Sequence, residues 1–138
     1  MSETTTPPII MSSLDWDRLD QLMAEPANRR LPVAAALQRE LDRARIVEPN
    51  EVPPEVVTMN STIRFMDETS KAESELTLVY PVAAGAAGTV SVLAPVGSAL
   101  LGLSVGQTIA WPMPGGRTAQ LRVLEVLRQP EAMGEFHR

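Results

Sequence analysis

The sequence lacks several of the residues on which catalytic and metal sites depend. There is no cysteine, which excludes disulfides and thiolate chemistry and fits a reducing compartment. The one histidine, His137, lies in a C-terminal segment with the character of a tail. Catalytic triads and histidine-based metal sites are therefore not expected, and no catalytic residue, metal or cofactor is predicted.

Aromatic residues, export signals and clustered positive charge are also scarce. Aromatic residues make up 4% of the chain, so the core must be built from Leu, Val, Ala and Met. The N-terminus has no basic start followed by an apolar run. The most apolar stretch, around residues 90–105, is short and is broken by Pro95, Gly97 and Gly102, so it does not span a membrane.

The net charge of the chain restricts the classes of partner that it can bind. A formal net charge of −5 argues against free DNA or RNA as the main ligand, because neutralising phosphates requires clustered Lys and Arg. We expect a cytoplasmic protein with neither a membrane nor a sequence-specific nucleic-acid partner, and we expect a monomer.

The first third of the chain predicts a helical hairpin. Residues 1–11 show no periodicity and are predicted to be a flexible arm. Ser12 or Ser13 can cap a helix, and with Ser12 as the cap Asp15 occupies the third helical position. Apolar residues then recur at helical spacing in two segments joined by Glu25 to Leu31. Residues 12–47 are therefore predicted to form a short antiparallel coiled coil.

The remainder predicts a sheet domain. A proline-rich linker over residues 48–54 is the natural boundary, and the apolar period changes from about four to two beyond it. Strands are predicted in the regions of residues 57–65, 76–80, 89–93, 107–113 and 117–127, with a short helix over 96–101. Within the last strand, the apolar face switches after Val123, which predicts a bulge or a strand covered on both sides. The predicted class is α+β, with the second domain spanning residues 52–138.

Four segments in fixed order carry a family resemblance. The runs Ser91–Pro95, Ala99–Gly102, Val105–Gly106 and Pro114–Gly116 are similar to the C-terminal domain of the bacterial Gre transcript-cleavage factors. Three further segments, Asp42–Ala44, Val56–Ser61 and Leu78–Pro81, fit the relatives of these factors, the Rnk family of regulators of nucleoside diphosphate kinase. From Ser13 to Glu131 the chain resembles that family more closely. This resemblance implies an FKBP-like antiparallel β-sheet wrapped on a short helix.

The resemblance also implies a function and a partner. It implies a non-enzymatic transcription regulator that binds RNA polymerase at the secondary channel, competes with Gre-type cleavage factors and affects nucleoside diphosphate kinase levels. In the Gre domain the corner matching Leu93, Ala94, Pro95 and Val96 faces the polymerase, so these four residues are the candidate docking site. Gre factors usually have serine where this chain has Ala94, and any hydroxyl contact is lost. The alternative is that the corner serves only the fold and the core.

The predicted hairpin tip departs from the Gre pattern. Gre factors carry acidic residues at the tip of a long coiled coil, which help to hold a metal ion in the polymerase active site. Here the tip residues are Glu25, Asn28, Arg29 and Arg30, one acid and two arginines, which do not suit a divalent cation. Cleavage chemistry is therefore not carried over. The nearby acids Asp15, Asp17 and Asp20 are interpreted as a helix cap and a solvated face.

Two alternatives remain open. The pattern from Ala99 to Gln107 also resembles the core of FK506-binding prolyl isomerases. Such an enzyme needs a deep aromatic pocket, for which Phe65, Tyr80 and Trp111 are the candidates in the predicted sheet. The other alternative is a generic protein-interaction module.

Overall fold

A computed structural model describes residues 8–112 and 115–135. The predictions for residues 1–7, Met113 and His137 lie outside these ranges. The N-terminal part contains strand β1 (Ile10–Ser12), helices α1 (Ser13–Ala24), α2 (Pro26–Arg29) and α3 (Ala34–Arg43), and strand β2 (Arg45–Val47). The C-terminal part contains strands β3 (Thr62–Asp67), β4 (Ala72–Val79) and β5 (Thr89–Ser91), helix α4 (Pro95–Leu100), and strands β6 (Thr108–Pro112) and β7 (Thr118–Arg128).

Helix α1 begins and ends where the sequence predicts. The Ser12 hydroxyl accepts a hydrogen bond from the Asp15 backbone N–H at 3.0 Å, so Ser12 is the cap. The helix ends at Ala24, and Glu25 is extended because the residue before a proline is disfavoured in helical geometry. Pro26 then starts the single turn of α2. The connection between the two long helices is therefore partly helical rather than a plain loop.

The prediction of a flexible arm is wrong for residues 9–11. Ile9 and Met11 are each 1% exposed, and β1 pairs in parallel with β2. The Ile10 N–H also donates to the Gly102 carbonyl at 3.1 Å. Three residues are too few to show periodicity, and the partners that order them lie far away in the sequence.

The large sheet is mixed, not wholly antiparallel as predicted. Its strand order is β5-β4-β3-β7-β6, and β5 runs parallel to β4. Residues 80–88 connect the end of β4 to the start of β5, where Thr89 pairs with Thr77. This connection contains a 3-10 turn at Pro81–Ala83. The predicted bulge is confirmed, because the β3–β7 register shifts between Arg64 and Phe65. Strand β3 starts at Thr62, later than predicted, because Asn60 has a positive φ of 67° and the chain turns there.

One cluster of buried apolar side chains joins the helices to the sheet. It includes residues of α1 and α3 together with residues of the sheet and α4, among them Leu19, Leu37, Leu41, Met59, Ile63, Leu78, Leu100, Leu103 and Val123. Burial of each large side chain is worth about 1.5–3 kcal/mol, so the two regions stabilise one another. The division into folding units at residues 12–47 and 52–138 stays a prediction. Among the described residues, no helix combines the length and the hydropathy that crossing a bilayer requires.

Candidate functional site

The candidate docking corner, residues Leu93 to Val96, is the turn from β5 into α4. Pro95 is the first residue of the helix and Ala94 is its N-cap, without a side-chain cap bond. Ser91 holds the turn with two hydrogen bonds. Its hydroxyl accepts a hydrogen bond from the Leu93 N–H at 3.0 Å, and its carbonyl accepts one from the Ala94 N–H at 3.0 Å. The backbone of the corner is thus held in one conformation.

Two small residues lock α4 against β5. A Cβ atom added at Gly97 would clash with the Ser91 carbonyl group, so only glycine permits this approach. The buried Ser98 hydroxyl donates to the Val92 carbonyl at 2.5 Å. Together these contacts hold the start of α4 close to the end of β5.

The corner borders an open groove on the inner face of the sheet. The groove has a volume of about 410 Å³. Ala94, Pro95 and Val96 form one wall, and the remaining lining residues come from the sheet and its loops: Phe65, Asp67, Ser70, Ala72, Ser74, Leu76, Val90, Arg117, Ala119 and Leu121. The four corner residues are all half-buried. Leu93 and Val96 also pack against the core, so the corner serves the fold and borders the groove at once.

The tip residues have a local structural task. The Asn28 side-chain amide donates to the Leu22 carbonyl at 2.8 Å, and the Arg29 Nε donates to the Met23 carbonyl at 3.1 Å. These carbonyls belong to the last turn of α1, where intrahelical donors are missing, and a cation there also suits the helix dipole. Glu25 and Arg30 are exposed. Within residues 8–112 and 115–135, no group of three or more acidic or histidine side chains is placed to hold a metal ion.

The sequence interpretation missed the position of Asp15. Asp17 and Asp20 are exposed as predicted, but Asp15 is 1% exposed. Its Oδ2 accepts the Met59 backbone N–H at 3.1 Å, and the Tyr80 hydroxyl lies 3.5 Å from Oδ1. Helical spacing contained the signal, because residues 15, 19 and 23 form one buried stripe on α1.

The environment of Asp15 favours its neutral form. Burial raises the pKa of Asp15 to about 7, and the negative charge of Glu131 adds to the rise. The Met59 N–H, the Arg18 cation and the Tyr80 hydroxyl oppose the rise. Burial, followed by the Asp15 charge, also raises the pKa of Tyr80.

The aromatic candidates for a prolyl-isomerase pocket are dispersed. Phe65 lines the groove beside the corner, but Trp111 is 4% exposed and belongs to the core. Tyr80 faces Asp15 instead. The three side chains do not converge on one cavity.

Comparison with known proteins accounts for both parts of the chain. Residues 7–47 match the family model described as "Rnk N-terminus", and residues 45–128 match "Transcription elongation factor, GreA/GreB, C-term". The chain is 48% identical to the "Regulator of nucleoside diphosphate kinase" of Escherichia coli strain K12, over 94% of this chain and 96% of the relative. The chain belongs to the Rnk family. The resemblance seen in the sequence is thereby confirmed.

Other relatives of this Rnk-family chain carry the names of Gre factors. It is 33% identical to "Transcription elongation factor GreA" of Caldanaerobacter subterraneus subsp. tengcongensis, over 68% of this chain and 60% of that protein. The solved structure of "Prokaryotic transcription elongation factor GreA/GreB from Nitrosomonas europaea" is 49% identical, with a TM-score of 0.70 over 88% of this chain and 99% of that one. The chain is a Gre-related regulator with the mixed α+β fold of that structure.

Proposed function

We propose that this protein is a non-enzymatic regulator of transcription that binds RNA polymerase at the secondary channel and competes there with Gre-type cleavage factors. The observation that carries the proposal is the half-buried corner from Leu93 to Val96, which borders a groove lined mainly by apolar side chains. Its relatives named as transcription elongation factors support RNA polymerase as the partner. The protein acts as a monomer in the cytoplasm.

The geometry of the corner suits docking. Contacts from Ser91, Gly97 and Ser98 fix its backbone in the free protein, so little conformational entropy is lost when a partner binds. Phe65, which is 6% exposed, and the half-buried Leu76 line the groove beside α4. Apolar side chains that enter such a pocket dominate binding energies at many protein interfaces.

The hairpin tip supports regulation without RNA cleavage. Helix α1 has 12 residues and spans about 18 Å, and Asn28 and Arg29 are occupied in closing its last turn. Two arginines at the tip also repel a divalent cation. The effect on nucleoside diphosphate kinase named for the E. coli relative would then arise indirectly, through the polymerase.

Ala94→Asp tests the docking corner with little risk to the fold. Aspartate is among the preferred N-cap residues, and it can accept the hydrogen bond that Ala94 cannot. The variant should therefore keep or raise the unfolding midpoint. A carboxylate beside the apolar groove should weaken binding to core RNA polymerase by tenfold or more, because its charge is desolvated in the complex. Biolayer interferometry with immobilised polymerase measures the change.

Val82→Asp is the matched control, because Val82 is 95% exposed and does not line the groove. It should bind polymerase as the unmodified chain does. The Val82→Asp protein should compete with a Gre factor as well as the unmodified chain does, and the Ala94→Asp protein should compete less well. The unmodified chain should not increase RNA cleavage in stalled polymerase complexes. Unchanged binding and competition by a folded Ala94→Asp protein would move the docking surface elsewhere. Cleavage lost on Glu25→Ala would overturn the non-enzymatic assignment.

The prolyl-isomerase alternative has weaker support. The groove occupies the inner face of the sheet, but Phe65 is its one aromatic lining residue among those described. A prolyl-peptide turnover assay distinguishes a prolyl isomerase from a non-enzymatic regulator, and we expect no turnover. If polymerase binding is also absent, a generic interaction module remains.

A further inference from the structure

Four groups form an acid joint between helix α1 and the sheet domain, in which Asp15 and Met59 are buried and Tyr80 and Glu131 are half-buried. They are the Asp15 carboxyl from α1, the Met59 backbone N–H from the turn before β3, the Tyr80 hydroxyl from the end of β4, and the Glu131 carboxyl from the 3-10 turn after β7. Glu131 is itself tied to the turn before β3, since its Oε1 accepts the Thr58 hydroxyl at 2.7 Å. Three separate segments of the sheet domain thus meet one helix at a carboxyl group.

The joint is sensitive to charge. Asp15 is 1% exposed, and ionising a buried carboxyl is costly unless charge partners and hydrogen bonds compensate. The charged and titratable groups acting on it are Glu131 from the C-terminal turn, Arg18 from its own helix, and Tyr80 from the sheet. Glu131 opposes ionisation and Arg18 favours it, but burial is the largest effect.

We propose that the acid joint is a proton-dependent latch: protonated Asp15 holds α1 on the sheet domain, and ionised Asp15 loosens it. Both hydrogen bonds of the Asp15 carboxyl are donated from the sheet side, by the Met59 N–H and the Tyr80 hydroxyl, and they offset only part of the cost that burial and Glu131 place on the ionised form. The neighbouring Trp16 instead donates to the Leu41 carbonyl within the helical part, at 2.9 Å. The Asp15 carboxyl thus joins α1 to the sheet domain and Trp16 joins α1 to α3, while Leu19 of α1 stays in the shared buried cluster, so the loosening is a small shift of α1 and not a separation.

The structure has room for this movement. A solvent-open cavity of about 550 Å³ lies between α1 and the turn after β4, lined by Arg18, Gln21, Leu22, Glu25, Tyr80 and Val82. Tyr80 is thus shared by the cavity and the acid joint. A small outward shift of α1 would admit water to Asp15 and relieve the desolvation of its charge. The latch requires no polymerase, so its test is independent of the proposed function.

Spin labels can measure the opening directly. The chain has no cysteine, so cysteines introduced at Gln21 and Val82, both exposed and on opposite walls of the cavity, are the only labelling sites. Double electron–electron resonance at pH 5.5 and pH 8.5 gives the distance distribution between them. We expect a single narrow distribution at pH 5.5 and a broader, longer one at pH 8.5.

Three variants make the test specific. In the labelled protein, Asp15→Asn should stay narrow at both pH values, because the amide is neutral and keeps an acceptor for the Met59 N–H. Glu131→Gln should move the midpoint of the transition to lower pH, since it removes a negative charge beside Asp15. Asp17→Asn, an exposed acid on the same helix, should behave like the unmodified chain. A distribution that does not change with pH, or a change that survives Asp15→Asn, would overturn the latch.

Discussion

At the residue scale, local and distant interactions differ in how well the sequence predicts them. The Ser12 cap could be predicted because it depends on a residue three positions away. The burial of Asp15 could not, because its partners Met59 and Tyr80 lie 44 and 65 positions away. The docking role of the corner stays a prediction from the family resemblance, and the sequence gives no sign of the clash with Ser91 that makes Gly97 necessary. That contact is visible only in three dimensions.

The raised pKa of Asp15 predicts how stability changes with pH. Its value is about 7 in the folded chain, against an ordinary value of 3.8. The stabilisation due to its folded environment is therefore complete below pH 4 and disappears as pH rises through 7. The Asp15 contribution should make the protein less stable at pH 8 than at pH 5 by up to about 3 kcal/mol. Urea unfolding at the two pH values measures the difference.

Asp15→Asn should remove most of that pH dependence, and at pH 8 the variant should be more stable than the unmodified chain. Asp17→Asn, on the exposed face of the same helix, should retain it. An equal pH dependence in Asp15→Asn and the unmodified chain would assign the effect to other groups.

At the scale of elements, the sequence identified helix and strand where periodicity is long enough to count. Strands β3, β4, β6 and β7 and helices α1 and α3 were all located approximately. Strand β1 and the parallel direction of β5 were not, because each has three residues and takes its direction from a distant partner. Short parallel pairs carry almost no signal in the residues that form them.

The N-terminal strand should contribute strongly to stability. Ile9, immediately before β1, is 1% exposed, whereas Ile46 in the paired strand β2 is 48% exposed. Ile9→Ala should lower the free energy of unfolding by about 2–5 kcal/mol, because it leaves a cavity in the core. Ile46→Ala should cost less than about 1 kcal/mol, because most surface substitutions have small effects. Similar losses from the two substitutions would contradict the packing of β1.

At the scale of the whole molecule, the fold class followed from resemblance and period, but the arrangement of its parts did not. The proline-rich linker predicts two folding units, and all strands of the large sheet do lie between Thr62 and Arg128. Yet Leu19, Leu37 and Leu41 of the helices belong to the same buried cluster as the sheet. Sequence periodicity gives the buried face of each element and not the element that covers it.

A fragment starting at Val52 should unfold cooperatively, because it retains every strand pair of the large sheet. It should be less stable than the full chain by several kcal/mol, since the buried cluster loses Leu19, Leu37 and Leu41 of the helices. Thermal unfolding followed by circular dichroism compares the two. No cooperative transition in the fragment, with a clear one in the full chain, would show that residues 12–47 and 52–138 are a single folding unit.

The central position of β3 has a consequence for biosynthesis. One edge of β3 pairs with β4, which is the next strand in the sequence. The other edge pairs with β7, so Ile63 can pair with Val126 only after β7 has been synthesised. During translation, that edge stays unsatisfied until almost the whole chain has been made. An unpaired apolar strand edge invites association with other nascent chains. We therefore expect the nascent chain to be prone to association in the interval between the synthesis of β3 and that of β7.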